Sequence, residues 1–276
     1  MSENSGPVLV TGGTGTLGRR VVSDLLEHGR PVRVLSRRPR PAADTASDGA
    51  AQADAPRTHW VSGDLTTGAG LDAAVAGVGS VIHCATTGSG KDLGATRTLI
   101  EAVRRTGNAP HLVYISIVGV DRIPFFYYRA KLAAEKIIEE SGLPWSVLRT
   151  TQFHDLIARI TSIQRRLPVT MYPAGMSAQP IEVDEVARRL AELSSGEAAG
   201  RAADMGGPEV RTMREFALLT LRAYGLRGPL VPVRPPGRAA RAYREGHHTT
   251  PGRAVGVRTY SEYLEAVVAG GGRRSR

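Results

Sequence analysis

The chain holds one cysteine, Cys84, in 276 residues. A single thiol cannot close an internal disulfide, which fits a reducing compartment and predicts a cytoplasmic protein. Lysine is nearly as scarce: of the 36 basic residues only Lys91, Lys131 and Lys136 are lysines, and the rest are arginines. No apolar run approaches the roughly 20 residues that cross a bilayer. The opening stretch Met1–Pro7 is polar and does not read as a secretory leader. Zinc-ligand spacing, a helix-turn-helix pattern and an aromatic RNA platform are all missing, so the net charge of +10 is read as a solvated basic surface. Much of that charge lies between Arg227 and Arg276. The expected partner is a small-molecule substrate, with neither nucleic acid nor membrane, and the expected state is a monomer or homodimer.

A hydrophobic content of 41% is enough for a full core, and the length suits one large domain spanning residues 1–276. The most informative run opens the chain. Val8-Leu9-Val10 leads into Thr11-Gly12-Gly13-Thr14-Gly15-Thr16-Leu17-Gly18, and an amphipathic segment, Arg19 to Glu27, follows. That order is strand, glycine turn, helix. Gly12 permits the tight turn, Gly15 admits a pyrophosphate close to the backbone, and Gly18 lets helix and strand approach. The helix N-terminus supplies unpaired N–H groups and a positive dipole end.

Strand-like and helical patterns then alternate. Strands are predicted at Val32–Leu35, His59–Ser62, Ser80–His83, Leu112–Ile117 and Trp145–Leu148. Helices are predicted around Leu71–Val78, at Asp92–Thr106 and at Tyr127–Ser141, which Gly142 and Pro144 end. Residues 38–57 read as a long surface connection. Alternation of this kind gives an α/β, Rossmann-like, doubly wound parallel sheet, with ligands at the carboxyl ends of the strands. Residues 7–150 form the predicted cofactor-binding core, and 151–276 a substrate lobe with a basic tail. In that later half, helices are expected at Asp184–Leu193, from the capping box Thr212-x-x-Glu215 to Ala223, and at Ser261–Val268.

The second strand ends Leu35-Ser36-Arg37-Arg38, where NAD-specific folds usually place a carboxylate. Arginine pairs with a 2′-phosphate that a carboxylate would repel, so NADP(H) is favoured over NAD(H). The alternative is that Arg37 and Arg38 only begin the basic loop. Asp64 and Leu65 follow the third strand, at the place for the adenine edge, and a plain turn aspartate is the alternative. Cys84-Ala85-Thr86 follows the fourth strand, where backbone passes a cofactor. Cys84 reads as a small buried hydrophobe rather than a nucleophile.

Catalytic candidates follow the fifth strand. Tyr127 and Lys131 stand four apart on one helix and so share a face. A free tyrosine titrates near pH 10, and a neighbouring ammonium brings its phenol into the range for general acid or base work. Lys131 also suits the nicotinamide ribose, and Ser116 suits an oxygen on which charge develops. The alternative is a surface tyrosine–lysine pair. Gln152, Phe153 and His154 follow the sixth strand and are candidate substrate contacts; His154 is a candidate acid–base group, with a helix-start histidine of no catalytic role as the alternative. Phe125 and Phe126 are candidates for a wall of the pocket, with burial as plain core as the alternative. His247 and His248 lack partners at metal-ligand spacing and are expected at the surface, and no metal is expected.

These motifs, together with Gly63-Asp64-Leu65, Tyr114-Ile115-Ser116-Ile117-Val118-Gly119 and Gly142 to Phe153, resemble the short-chain dehydrogenase/reductase superfamily. The likeness is closest to its atypical, NmrA-like, NAD(P)H-binding branch and covers roughly residues 7–220. It implies a Rossmann fold and a bound nicotinamide dinucleotide. The branch includes reductases, isomerase-like enzymes and proteins that sense cofactor redox state. The expected activity is an NADPH-dependent oxidoreductase moving hydride between nicotinamide and a small carbonyl, imine or enone. A non-catalytic NADP(H) sensor, or an epimerase or isomerase with tightly held cofactor, is the alternative. Two departures stand out: Ser116 lies only eleven residues before Tyr127, and His83-Cys84-Ala85-Thr86 replaces the usual fourth-strand motif.

Overall fold

Short runs of β-branched and aliphatic residues form the strands, and the central ones are buried on both faces, as parallel sheets require. The computed structural model describes residues 6–37, 58–86 and 92–270. The expected connection 38–57, Arg38 within it, and residues 271–276 lie outside the described residues. The strands are β1 (Val8–Thr11), β2 (Val32–Ser36), β3 (Thr58–Ser62), β4 (Ser80–His83), β5 (His111–Ile117), β6 (Trp145–Thr150) and β9 (Gly200–Arg201). Among the described residues they make one seven-stranded sheet in the order β3-β2-β1-β4-β5-β6-β9, with parallel pairing. The order reverses at β1, so the crevice at the carboxyl ends of β1 and β4 is the topological switch point.

Helices α1 (Thr16–Glu27), α2 (Leu71–Val75), α3 (Asp92–Arg105), α4 (Phe126–Glu139) and α6 (Val183–Ser195) accompany the sheet strands in sequence. Leu9, Leu71, Leu99, Leu112, Ala134 and Ile138 belong to one buried cluster. Each large aliphatic side chain there contributes about 1.5–3 kcal/mol by leaving water.

The chain divides into two compact units. One takes the chain up to Ser116, Arg129–Leu148 and Val186–Ala202; the other takes Ile117–Tyr128, Arg149–Glu185 and the chain from Ala203. The boundary is not a single crossing near residue 150. Residues 186–202, expected in the later lobe, return to the first unit because β9 pairs with β6, Ser146 beside Gly200.

The second unit contains α5 (His154–Ser162), α7 (Met213–Ala223), α8 (Arg238–Arg244) and α9 (Tyr260–Ala269). Ile157, Met213, Phe216, Tyr260 and Leu264 pack as its core. Thr212 and Thr259 each close a capping box, with Glu215 and Glu262. Two short sheets complete it: β7 (Thr170–Pro173) runs parallel to β11 (Leu230–Val233), and β8 (Ser177–Ala178) runs antiparallel to β10 (Arg211–Thr212).

Candidate functional site

The glycine turn follows β1 directly. Gly12 has φ +70°, a left-handed conformation that glycine adopts without strain. A Cβ on Gly12 would lie 2.7 Å from the backbone of Ala85, and a Cβ on Gly18 would lie 2.1 Å from the Gly12 carbonyl oxygen. Both positions are closed to any side chain. At Gly15, by contrast, the nearest such atom is 3.2 Å away, and Thr14, Gly15 and Thr16 are exposed. Helix α1 starts at Thr16, earlier than the expected Arg19, with Gly15 as its N-cap and neither a side-chain cap nor an acidic residue in its first turn. The Arg19 N–H donates to the Gly15 carbonyl at 3.1 Å, opening the helical ladder. The N–H groups of Thr16, Leu17 and Gly18 precede it, and such groups have no intrahelical partner. This exposed cradle, bare of carboxylate, fits a dinucleotide pyrophosphate.

Beneath the strand ends lies a buried polar layer that the motif reading missed. The last residues of β1 and β4 share one register row with Tyr114 in the middle of β5: Thr11 pairs with His83, and His83 with Tyr114. Thr96 uses its one hydroxyl proton on the Asp92 carbonyl at 2.9 Å. His83 Nε2–H must therefore donate to Thr96 Oγ1 at 3.1 Å, which leaves His83 Nδ1 to accept from the Thr11 hydroxyl at 2.6 Å. The Ala85 N–H reaches Thr11 Oγ1 at 3.4 Å, and the Thr86 hydroxyl donates to Asp92 at 2.6 Å. Burial lowers the His83 pKa to about 3, with the Lys131 charge adding to the effect and Asp92 opposing it. His83 is thus a neutral strut for the fourth-strand turn rather than an acid.

Lys131 belongs to the same unit. It is buried, donates from Nζ to the Ile115 carbonyl at 3.0 Å, and lies 4.5 Å over the Tyr114 ring. Burial lowers its pKa to about 8 against the opposing charge of Asp92. Ser116 is buried, and its hydroxyl has no hydrogen-bond partner among the described residues. Burial pushes the Cys84 thiol up to about 12, far from a reactive thiolate. Ser36 is buried at the end of β2, and Arg37 beyond it is exposed. Asp64 Oδ1 accepts the Thr66 N–H at 2.7 Å, which is the turn role, and Leu65 packs against the core.

Tyr127 stands in the first turn of α4, one turn before Lys131. In the second unit it begins a line of rings. Tyr127 and Phe125 approach Tyr128 at 6.4 and 6.1 Å, Tyr128 meets Tyr243 at 6.1 Å, and Tyr243 meets His248 at 4.7 Å. Phe126 packs on Phe125 at 4.6 Å, and both are exposed. Burial raises the phenols of Tyr128 and Tyr243 above their ordinary value.

The expectation of surface histidines at 247 and 248 needs correction. His247 is half-buried, whereas His248 is buried and its Nε2 donates to the Ser177 carbonyl at 2.7 Å. The backbone turn after α8 carries it inward, which arginine-rich composition could not reveal. Gln152 Nε2 donates to the His248 carbonyl at 3.4 Å. Phe153 bridges to Ile181. His154 starts α5, is buried, donates from Nε2 to the Arg258 carbonyl at 3.0 Å, and stacks on Tyr263 at 5.2 Å. Among the described residues no group of three metal-ligating side chains occurs.

Residues 12–194 match the family described as NAD(P)H-binding. The chain is 29% identical over 220 residues to divinyl chlorophyllide a 8-vinyl-reductase of Oryza sativa subsp. indica, covering 73% of this chain and 54% of that protein. It is 28% identical over 222 residues to (4-alkanoyl-5-oxo-2,5-dihydrofuran-3-yl)methyl phosphate reductase of Streptomyces griseus, covering 79% of this chain and 74% of that one. The chain thus spans about half the length of the rice relative and three quarters of the bacterial one. Among solved structures, the NADPH complex of the Escherichia coli quinone oxidoreductase superposes with a TM-score of 0.79 at 17% identity, covering 95% of this chain and 99% of that one. At that identity the likeness establishes the fold. With the glycine cradle and the switch-point sheet, the family match over residues 12–194 makes the chain a member of the NAD(P)H-binding family.

Proposed function

We propose that the protein is an NADPH-dependent oxidoreductase acting on a small carbonyl, imine or enone. The observation that carries this reading is the exposed, carboxylate-free cradle of Gly12 to Gly18 in the unit that buries Lys131 under a strand end. NADPH, when bound, supplies hydride. The N–H groups of Thr14, Thr16, Leu17 and Gly18 hold the pyrophosphate, with Gly12 making the turn that exposes them and Gly15, whose own N–H donates to the Gly12 carbonyl at 2.9 Å, letting the phosphates approach the backbone. Ser36 and Arg37, with Arg38, bind the 2′-phosphate, and this selects NADP(H) over NAD(H). Asp64 and Leu65 border the adenine, and the backbone of Cys84, Ala85 and Thr86 passes the cofactor on a turn that His83 fixes.

Lys131 holds the ribose hydroxyls, and its positive charge stabilises the phenolate of Tyr127. Tyr127 then delivers its phenolic proton to the substrate oxygen or carbon as negative charge develops there. Ser116, whose hydroxyl has no partner among the described residues, donates to the same developing charge. Phe125, Phe126 and Gln152 border the substrate, with Phe153 and His154 as the turn and strut behind Gln152. The names of two relatives, a vinyl-reductase and an oxo-dihydrofuran reductase, favour a conjugated acceptor.

The test is NADPH oxidation against a panel of quinones, enones, aldehydes and imines. Tyr127→Phe should lower turnover at least a hundredfold, about 10²–10⁴ being the usual range for a lost general acid, with NADPH affinity unchanged. Retained turnover in that variant removes Tyr127 from the mechanism. NADPH binding with no turnover on any acceptor overturns the enzymatic reading in favour of a cofactor sensor.

A further inference from the structure

One face of the second unit has no part in the chemistry above. Leu156, Ile160, Ile163 and Leu167 are exposed to 48, 36, 71 and 51%. Their spacing sets them in one stripe along α5 and the turn that follows it. Gln164 ties that turn to β7: its Nε2 donates to the Met171 carbonyl at 3.0 Å, and its Oε1 accepts the Met171 N–H at 2.9 Å. Met171 pairs with Val231 of β11. Val231 and Val233 point to one side of that strand, and both are exposed, as is Met171. Apolar surface therefore runs from α5 onto the β7–β11 sheet, where singly scattered exposed residues are the norm.

The two segments that carry it hold charge of one sign. From residue 156 to 181, and again from 216 to 244, the sequence holds no aspartate or glutamate. Arg159, Arg165, Arg166, Arg227 and Arg234 are exposed in the same segments. Asp155, just before the stripe, is engaged by the Tyr263 hydroxyl at 2.7 Å.

A protein interface is typically centred on aromatic side chains, and the exposed large apolar residues of this face include none. A nucleic acid rewards arginine and gains nothing from four exposed aliphatic side chains. Anionic lipid rewards both, because phosphate lies above hydrocarbon, and it penalises every carboxylate. We propose that the α5–β7–β11 face docks peripherally on an anionic lipid bilayer, with Leu156, Ile160, Ile163 and Leu167 below the headgroups and the arginines at lipid phosphates. No helix among the described residues is long and apolar enough to cross a membrane, so the protein lies on the surface. The sequence expectation of no membrane partner rested on the lack of a spanning run, and the exposed apolar stripe of α5 was not read from the sequence.

The test sediments the full chain with vesicles of phosphatidylcholine alone or with roughly 30% phosphatidylglycerol, a composition that gives a strongly negative surface. Pelleting is expected only with the anionic vesicles and should weaken with salt. Ile163→Ser with Leu167→Ser should lower the partition coefficient at least tenfold. Arg165→Glu with Arg166→Glu should lower it further, since each cation near the surface is worth about fivefold. Both pairs change exposed residues, so NADPH affinity and the melting curve should stay as in the wild type. Failure of the wild type to pellet with anionic vesicles overturns the proposal, as does equal pelleting of wild type and both variants. A wild-type dimer that Ile163→Ser with Leu167→Ser dissociates in sedimentation velocity assigns the face to a second copy and also overturns it.

Discussion

Replacing Gly18 by alanine adds one methyl group to the proposed cradle. Its Cβ would lie 2.1 Å from the Gly12 carbonyl oxygen, 2.7 Å from the Gly12 carbonyl carbon and 2.8 Å from the Gly13 Cα. All three atoms are backbone, so no rotamer change absorbs the clash. Ordinary contact begins at 3.4 Å, which means α1 and the turn must part by about 1.3 Å. Overpacking of that kind costs about 1–3 kcal/mol of stability. The same shift carries the first-turn N–H groups out of hydrogen-bond range of a phosphate, since such bonds weaken steeply beyond about 3.2 Å. Loss of one charge-assisted bond, worth about 1.5–3 kcal/mol, weakens NADPH by roughly 10–100-fold. Gly94→Ala is the control, because nothing lies within 4 Å of its Cβ and it sits in helix α3. That change should stabilise the protein by about 0.5–1 kcal/mol and leave NADPH affinity alone. Urea unfolding and a nicotinamide fluorescence titration read both quantities. If the two alanine variants behave alike, the close approach of α1 to the glycine turn is not what holds the cofactor.

Three further outcomes follow from named contacts. His83 is neutral when folded down to about pH 3 and titrates near 6.5 when unfolded. The unfolded chain therefore binds the extra proton between those values, and stability falls as pH drops below about 6.5, by up to 1.4 kcal/mol per pH unit from this group. His83→Gln removes that titration, so its unfolding midpoint should change less steeply between pH 6.5 and 4; an unchanged slope would clear His83. Lys131→Met removes the ammonium beside the Ile115 carbonyl, and turnover should fall at least a hundredfold while NADPH affinity falls less; a loss confined to KM would make Lys131 a binding residue alone. Thr212→Ala opens the capping box of α7, and thermal unfolding should show a loss of about 1 kcal/mol; a neutral result would mean that water caps the helix equally well.

The first half of the fold was legible because each signal there is local. Val8–Thr11, the glycines after it and the amphipathic run to Glu27 sit in one segment, and β-strand burial on both faces leaves short apolar runs that stand out. The start of α1 was placed late because Thr16 and Gly18 have poor helix propensity, yet both lie in its first turn. Only the start of helix α5, at His154, was read from the sequence; its extent to Ser162 was not, since its N-cap Phe153 offers no side-chain cap and no glycine or proline stop follows at once. Strands β7, β8 and β11 were overlooked because they are short and pair with segments far along the chain. The Thr11–His83–Thr96 strut was invisible to motif reading for a similar reason. Its members lie up to 85 residues apart in numbering, from Thr11 to Thr96, and only sheet register sets Thr11 beside His83. A search for polar residues at the last position of successive strands would have found it.

The central claim is that this chain binds NADPH through the glycine cradle and selects it through Arg37. Its most direct test is a fluorescence titration of wild type and Arg37→Asp with NADPH and NADH, followed by energy transfer from Trp60 and Trp145. The account predicts micromolar NADPH binding by the wild type, much weaker NADH binding, and a loss in Arg37→Asp that falls mainly on NADPH. Absence of binding by either nucleotide would contradict the cradle, and equal losses for both in Arg37→Asp would contradict the selection.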